Sequence, residues 1–134
     1  MGAAVATYVV NQGLDITTNR LKGAGSEPLY IGWGVSAGTT AKTDTTLFGE
    51  RLVDLATAAG TDHTAGTSTR VLTTVANDSY QVTGTRTATG AGTVTNAGLF
   101  DAASGGNLYL KGDFTGIGLA AADSIAFTIK AVYS

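Results

Sequence analysis

A chain of 134 residues with 19 glycines, one proline, one histidine and no cysteine excludes several kinds of chemistry at once. Without cysteine there are no disulfides, zinc–thiolate sites or thiol nucleophiles, and one histidine cannot build a two-His metal site within one chain. A formal net charge of −2 offers no general attraction to nucleic acid.

Charged residues make up 13% of the chain, about half the ~25% of an ordinary soluble domain. Thr, Ser, Asn, Gly and Ala must therefore cover much of the exterior. Such a surface suits subunit contact, lattice packing or sugar contact. The length fits one domain. Large apolar residues are few, which favours a thin two-layer sandwich over a thick α/β domain. No run approaches the ~18 apolar residues of a membrane span. The apolar start, Met1–Gln12, lacks the basic segment of a signal peptide, so export by that route is not expected.

In chain order, Ala3–Val10 is rich in β-formers and reads as a strand or an extended arm. As an arm it would add to a neighbour's sheet edge. Residues 1–13 are thus a strand or arm, and residues 14–134 a single β-sandwich domain. Asn11-Gln12-Gly13 reads as a break, and Leu14–Leu21 is ambiguous. Pro28–Val35 is a strand, with glycines on both sides of Trp33 that imply close approach by another backbone or a bulge. Ser36–Thr46 is a polar loop. Phe48, Leu52, Leu55 and Ala59 share one helical face, so Leu47–Ala59 is either the one helix or an irregular turn leading into a strand.

Thr69–Ala76 and Ser79–Thr89 read as a hairpin turning at Asn77-Asp78. Tyr80 and Val82 take one face of the second strand, with Gln81, Thr83, Thr85 and Thr87 on the other. A second hairpin joins Thr93–Phe100 to Asn107–Phe114, with Leu108 and Leu110 inward and Tyr109 and Lys111 partly outward. Thr115–Ala122 reads as a connector. Asp123–Tyr133 alternates most clearly, with Ile125, Phe127, Ile129, Ala131 and Tyr133 on one face. Short strands between Gly-rich turns give an all-β class with at most one short helix.

Few residues offer chemistry. His63, in Thr61-Asp62-His63-Thr64, reads as an exposed loop histidine or as a pH-sensitive or intersubunit contact. The ten acidic residues are dispersed, mostly at turns, with no metal-binding spacing. The glycine motifs lack the helix and Lys-Ser/Thr context of phosphate loops. No cofactor, metal or catalytic residue is assigned. Trp33 with Tyr30 reads as core or interface, or else as a sugar-stacking platform.

Four segments carry a resemblance. They are Asp78–Thr85 (DSYQVTGT), Val94–Asp101 (VTNAGLFD), Ser104–Lys111 (SGGNLYLK) and Asp123–Ile129 (DSIAFTI). Pro28–Gly34 and Thr45–Glu50 precede them in the expected order. Together they resemble small structural proteins of tailed bacteriophages, of the capsid decoration or cement kind. The family pattern usually has an acidic residue where Asn96 stands. The resemblance implies a jelly-roll-like antiparallel β-sandwich, often trimeric, on the capsid exterior. It implies the major capsid protein as partner and assembly in the host cytoplasm. No nucleic acid or membrane partner is expected. Tyr8, Val9, Val10 and His63 are the candidate capsid or intersubunit contacts. A tail or head-fibre component binding host surface glycans is the alternative.

Overall fold

Alternation along the last strand shows how the sheets are built. In Ser124–Val132, Ile125, Phe127 and Ala131 are buried, while Ser124, Ala126 and Thr128 face solvent. The computed structural model describes residues 4–56 and 59–133. Its elements are β1 (Ala4–Val9), α1 (Asn11–Leu21), β2 (Tyr30–Gly34), β3 (Glu50–Arg51), β4 (Thr64–Ala65), β5 (Thr67–Val71), β6 (Ser79–Thr87), β7 (Gly92–Phe100), β8 (Leu108–Leu119) and β9 (Ser124–Val132).

The strands form two antiparallel sheets. The larger has the order β1-β8-β7-β2-β3, with β4 also on β2, and the smaller has the order β5-β6-β9. Between them pack Ile31, Trp33, Val82, Val94, Leu99, Leu110, Ile125 and Phe127. The fold is an all-β sandwich with one short helix.

Its jelly-roll-like character lies in one long ribbon. The hairpin β7–β8 runs from Phe100 opposite Leu108 to Gly92 opposite Leu119. The pair β6–β9 runs from Thr87 opposite Ser124 to Ser79 opposite Val132. Between these pairs the two connections bond to each other. Ala88 N–H donates to the Asp123 carbonyl at 2.8 Å, and Ala122 N–H donates to the Ala88 carbonyl at 2.7 Å. The ribbon thus folds over from one sheet into the other without losing its pairing.

Several expectations need correction. The helix is Asn11–Leu21, where the sequence reads as a break followed by an ambiguous stretch. Gly13 weakens a helix, yet a Cβ there would lie 2.1 Å from the Tyr109 carbonyl oxygen. The helix needs glycine to lie against β8. Leu47–Ala59 takes the irregular alternative, with Thr57 and Ala58 outside the described residues. Leu47 joins a small cluster with Val10, Phe100 and Leu108, whereas Leu55 joins the main core. These apolar residues serve different clusters and never formed one helical face. Thr115–Leu119 continues β8 instead of connecting. Strand β5 ends at Val71, so the 72–78 turn is longer than the Asn77-Asp78 signal implied.

Strand β1 is part of the sandwich. It pairs with β8 from Ala4 opposite Phe114 to Val9 opposite Leu110, with a bulge between Ala4 and Ala6. Met1–Ala3 of the expected arm lie outside the described residues. Val10 is fully buried within its own subunit, so it is a core residue and not an exposed contact.

Candidate functional site

The outer face of the large sheet is a furrow made by missing side chains. Gly32 pairs with Gly98, and Gly34 pairs with Asn96. Cross-strand partners share a face, so these residues line one strip. A Cβ on Gly34 would lie 2.2 Å from the Phe48 carbonyl oxygen. A Cβ on Gly32 would lie 2.8 Å from His63 and 3.0 Å from Phe100. The glycines around Trp33 therefore do admit a close neighbour.

His63 fills this furrow. It is buried, which overturns its reading as an exposed loop residue. Its ring stacks on Phe100, Nδ1 lies 2.9 Å from the Ala102 carbonyl oxygen, and Nε2 lies 2.6 Å from Glu50 Oε1. A carbonyl only accepts, so Nδ1 carries a hydrogen. Asp62, the sequence neighbour, contributes its backbone carbonyl to Arg86 at 2.7 Å.

Arg86 and Lys111 are both buried, although the sequence places Lys111 partly outward. Arg86 crosses the core beneath Trp33, 4.9 Å from the ring centroid, and donates to Thr64 Oγ1 at 2.8 Å. Burial pushes its guanidinium down from the usual arginine value, against the opposing pull of Asp62 and Glu50. Lys111 bonds Asp44 at 3.0 Å and the Thr46 carbonyl at 2.8 Å, with Phe48 over its ammonium. Burial works against ionisation of Asp44, but the Ala41 N–H and Lys111 outweigh it and hold the carboxyl below its usual range. Asp113 accepts from Thr40 N–H at 2.8 Å. Asn96 accepts from Phe48 N–H at 2.9 Å and donates to the Phe48 carbonyl at 3.0 Å. These groups fasten the 36–48 segment over the glycine furrow.

Trp33 is fully buried, with its indole N–H on the Leu52 carbonyl at 2.9 Å. A sugar platform built on Trp33 is therefore ruled out. An aromatic surface forms elsewhere. Ile16, Thr17, Arg20, Leu21, Glu27, Pro28, Tyr80, Tyr109 and Tyr133 line a groove of about 410 Å³ beside α1. Tyr80 and Tyr109 meet edge to face, 6.1 Å between centroids. Tyr109 and Tyr133 share a hydroxyl–hydroxyl contact, and Tyr80 donates to Glu27 Oε1 and to the Pro28 carbonyl, each at 3.1 Å. Burial pushes both the Tyr80 and Tyr109 hydroxyls above the ordinary tyrosine value; the Glu27 charge adds to it for Tyr80, and the Tyr133 hydrogen bond for Tyr109.

Of the groove residues, Leu21 and Tyr133 are 84% and 55% exposed; Val132 on β9 and Leu72 and Val75 in the 72–78 turn are exposed too. Asp78 holds that turn by accepting from the N–H groups of Thr73, Thr74 and Val75. These bonds, led by the one from Val75, keep its carboxyl well below the usual range against partial desolvation. Tyr8 is exposed and Val9 half-buried on β1.

Sequence spacing did not reveal the groove, because its tyrosines come from β6, β8 and the residue that follows β9, far apart in the chain. The alternation did place Tyr80 on one face with Val82, and Tyr133 on one face with Ile125, Phe127, Ile129 and Ala131. Among the described residues, no cluster of three or more His, Asp or Glu side chains is placed to hold a metal. Comparison of the chain with family models, curated proteins and solved structures finds no match.

Proposed function

We propose that this chain is a virion structural protein of a tailed bacteriophage, of the capsid decoration kind. It attaches to the exterior of the head shell and stabilises it by contact with the major capsid protein, without catalysis. Assembly takes place in the host cytoplasm, and subunits associate, with three the favoured number. The resemblance over Pro28–Ile129 supports this reading.

The observation that carries it is the bare edge of β1. An exposed strand edge offers unpaired N–H and C=O groups, and soluble proteins guard such edges with charge, proline or shortness. On the far side of the large sheet, β3 and β4 have two residues each. In the small sheet, β5 carries Arg70 and β9 carries Lys130. Among these edges in the described residues, β1 is the one longer than two residues that has neither charge nor proline. A strand from the shell can add there, with Tyr8 and Val9 beside it. Each contact is modest, and many copies on one lattice sum to a firm hold.

Deleting Met1–Gln12 would also remove Val10 from the core and β1 from its sheet. The cleaner test is the Thr7→Lys/Tyr8→Lys double variant, at two exposed positions, mixed with undecorated head shells. The expected result is an unchanged melting temperature and at least about tenfold weaker co-sedimentation with shells. Wild-type co-sedimentation by the double variant overturns the proposal.

A further inference from the structure

We propose that the tyrosine groove beside α1 binds a neutral saccharide unit. Its volume of about 410 Å³ lies within the ~300–1,000 Å³ of small-ligand sites, enough for one or two sugar rings. Sugars present apolar C–H faces together with hydroxyls that both donate and accept. The groove matches both halves. Tyr80, Tyr109 and Tyr133 supply aromatic surface, and Tyr133 is 55% exposed. Aromatic rings of this kind give broad contact area at low conformational cost.

The polar partners are Arg20 and Glu27. Among the described residues the ion pairs are His63–Glu50 and Lys111–Asp44, so Arg20 and Glu27 are not engaged with each other. Each is nonetheless held in place. Arg20 Nη1 donates to the Gly25 carbonyl at 2.8 Å, and Glu27 Oε1 accepts from Tyr80. A guanidinium has five N–H donors and a carboxylate has two oxygens, so both retain capacity for a ligand. A ligand of single charge would be attracted by one of these groups and repelled by the other. Sugar hydroxyls, which both donate and accept, can serve either group. None of the lining residues belongs to β1, so the outcome does not depend on shell docking.

The test is titration of the ¹⁵N-labelled full chain with glucose, galactose and N-acetylglucosamine, followed by amide shifts. Choline chloride and glycine betaine serve as cationic and zwitterionic probes. The expected result is saturable shifts confined to Ile16–Leu21, Tyr80, Tyr109 and Tyr133 with at least one sugar, and a Kd in the millimolar range. Tyr133→Ala and Arg20→Ala should each weaken binding about tenfold, with the remaining spectrum unchanged. Tyr133→Phe, which keeps the ring, should retain most of it. No shift with any sugar, a response to choline or betaine alone, or full binding by Tyr133→Ala overturns the proposal.

Discussion

The imidazole of His63 lies flat on the ring of Phe100, with centroids 3.8 Å apart and planes 10° from parallel. The stack fits because Gly32 has no side chain. A Cβ there would approach His63 Cδ2 to 2.8 Å and Phe100 Cε2 to 3.0 Å, with Glu50 Oε1 at 3.3 Å. The sole histidine is thus held by packing on one side and by hydrogen bonds at both nitrogens.

Gly32→Ala should therefore destabilise the fold by overpacking, by about 1–3 kcal/mol. Urea denaturation of the variant measures it. His63 and Phe100 are both buried and cannot move aside cheaply. A ΔΔG near zero would mean that the stack is loose.

Asp44 and Lys111 differ in how they would respond to loss of the partner. The Lys111 side chain is fully buried, while that of Asp44 is 21% exposed. Asp44→Ala leaves a buried ammonium with the Thr46 carbonyl and the Phe48 ring beside it but without the Asp44 charge, and should cost about 2–3 kcal/mol. Lys111→Met leaves a carboxylate that water can reach, and should cost less. The order of the two urea midpoints checks this. The pH dependence has a definite sign. Asp44 titrates below its ordinary value, so its contribution is complete above about pH 4. It declines as pH falls below that value and is gone once pH passes the lower folded value. Asp44→Ala should flatten this acid limb.

Asn96→Asp tests the departure from the resembled pattern. The Asn96 amide serves both polar groups of Phe48 and is fully buried. A carboxylate can accept from the Phe48 N–H but can only repel the Phe48 carbonyl. The variant should lose about 2–3 kcal/mol at neutral pH. It should recover part of this in acid, where a protonated carboxyl can donate again. Equal stability of variant and wild type at pH 7 would show that the clamp contributes nothing.

Strands with one wet face were legible in the sequence. In β6, Val82 and Arg86 face in while Thr83, Thr85 and Thr87 face out, and β9 alternates in the same manner. The 36–48 segment covers the other face of the large sheet, so β7 and β8 are buried on both faces around Asn96–Phe100 and Leu108–Asp113. Alternation carries no information there, which is why Lys111 was placed partly outward. The helix was hidden for a related reason. Val10 gives it no side-chain cap, and Gly13 is present for contact with Tyr109.

Low charge and high glycine content, together with short alternating segments between turns, set the class: an all-β sandwich. Period-two patterning and turn residues act locally, so a sequence displays them directly. Which of the few charged groups would be buried was decided only in three dimensions. Burial of Arg86 and Lys111 depends on acceptors that the fold brings from distant segments, such as Asp62 and Asp44. The groove depends likewise on Tyr80, Tyr109 and Tyr133 meeting where two sheets and a helix converge. A buried charge or a shared cavity exists only once partners remote in sequence are held together.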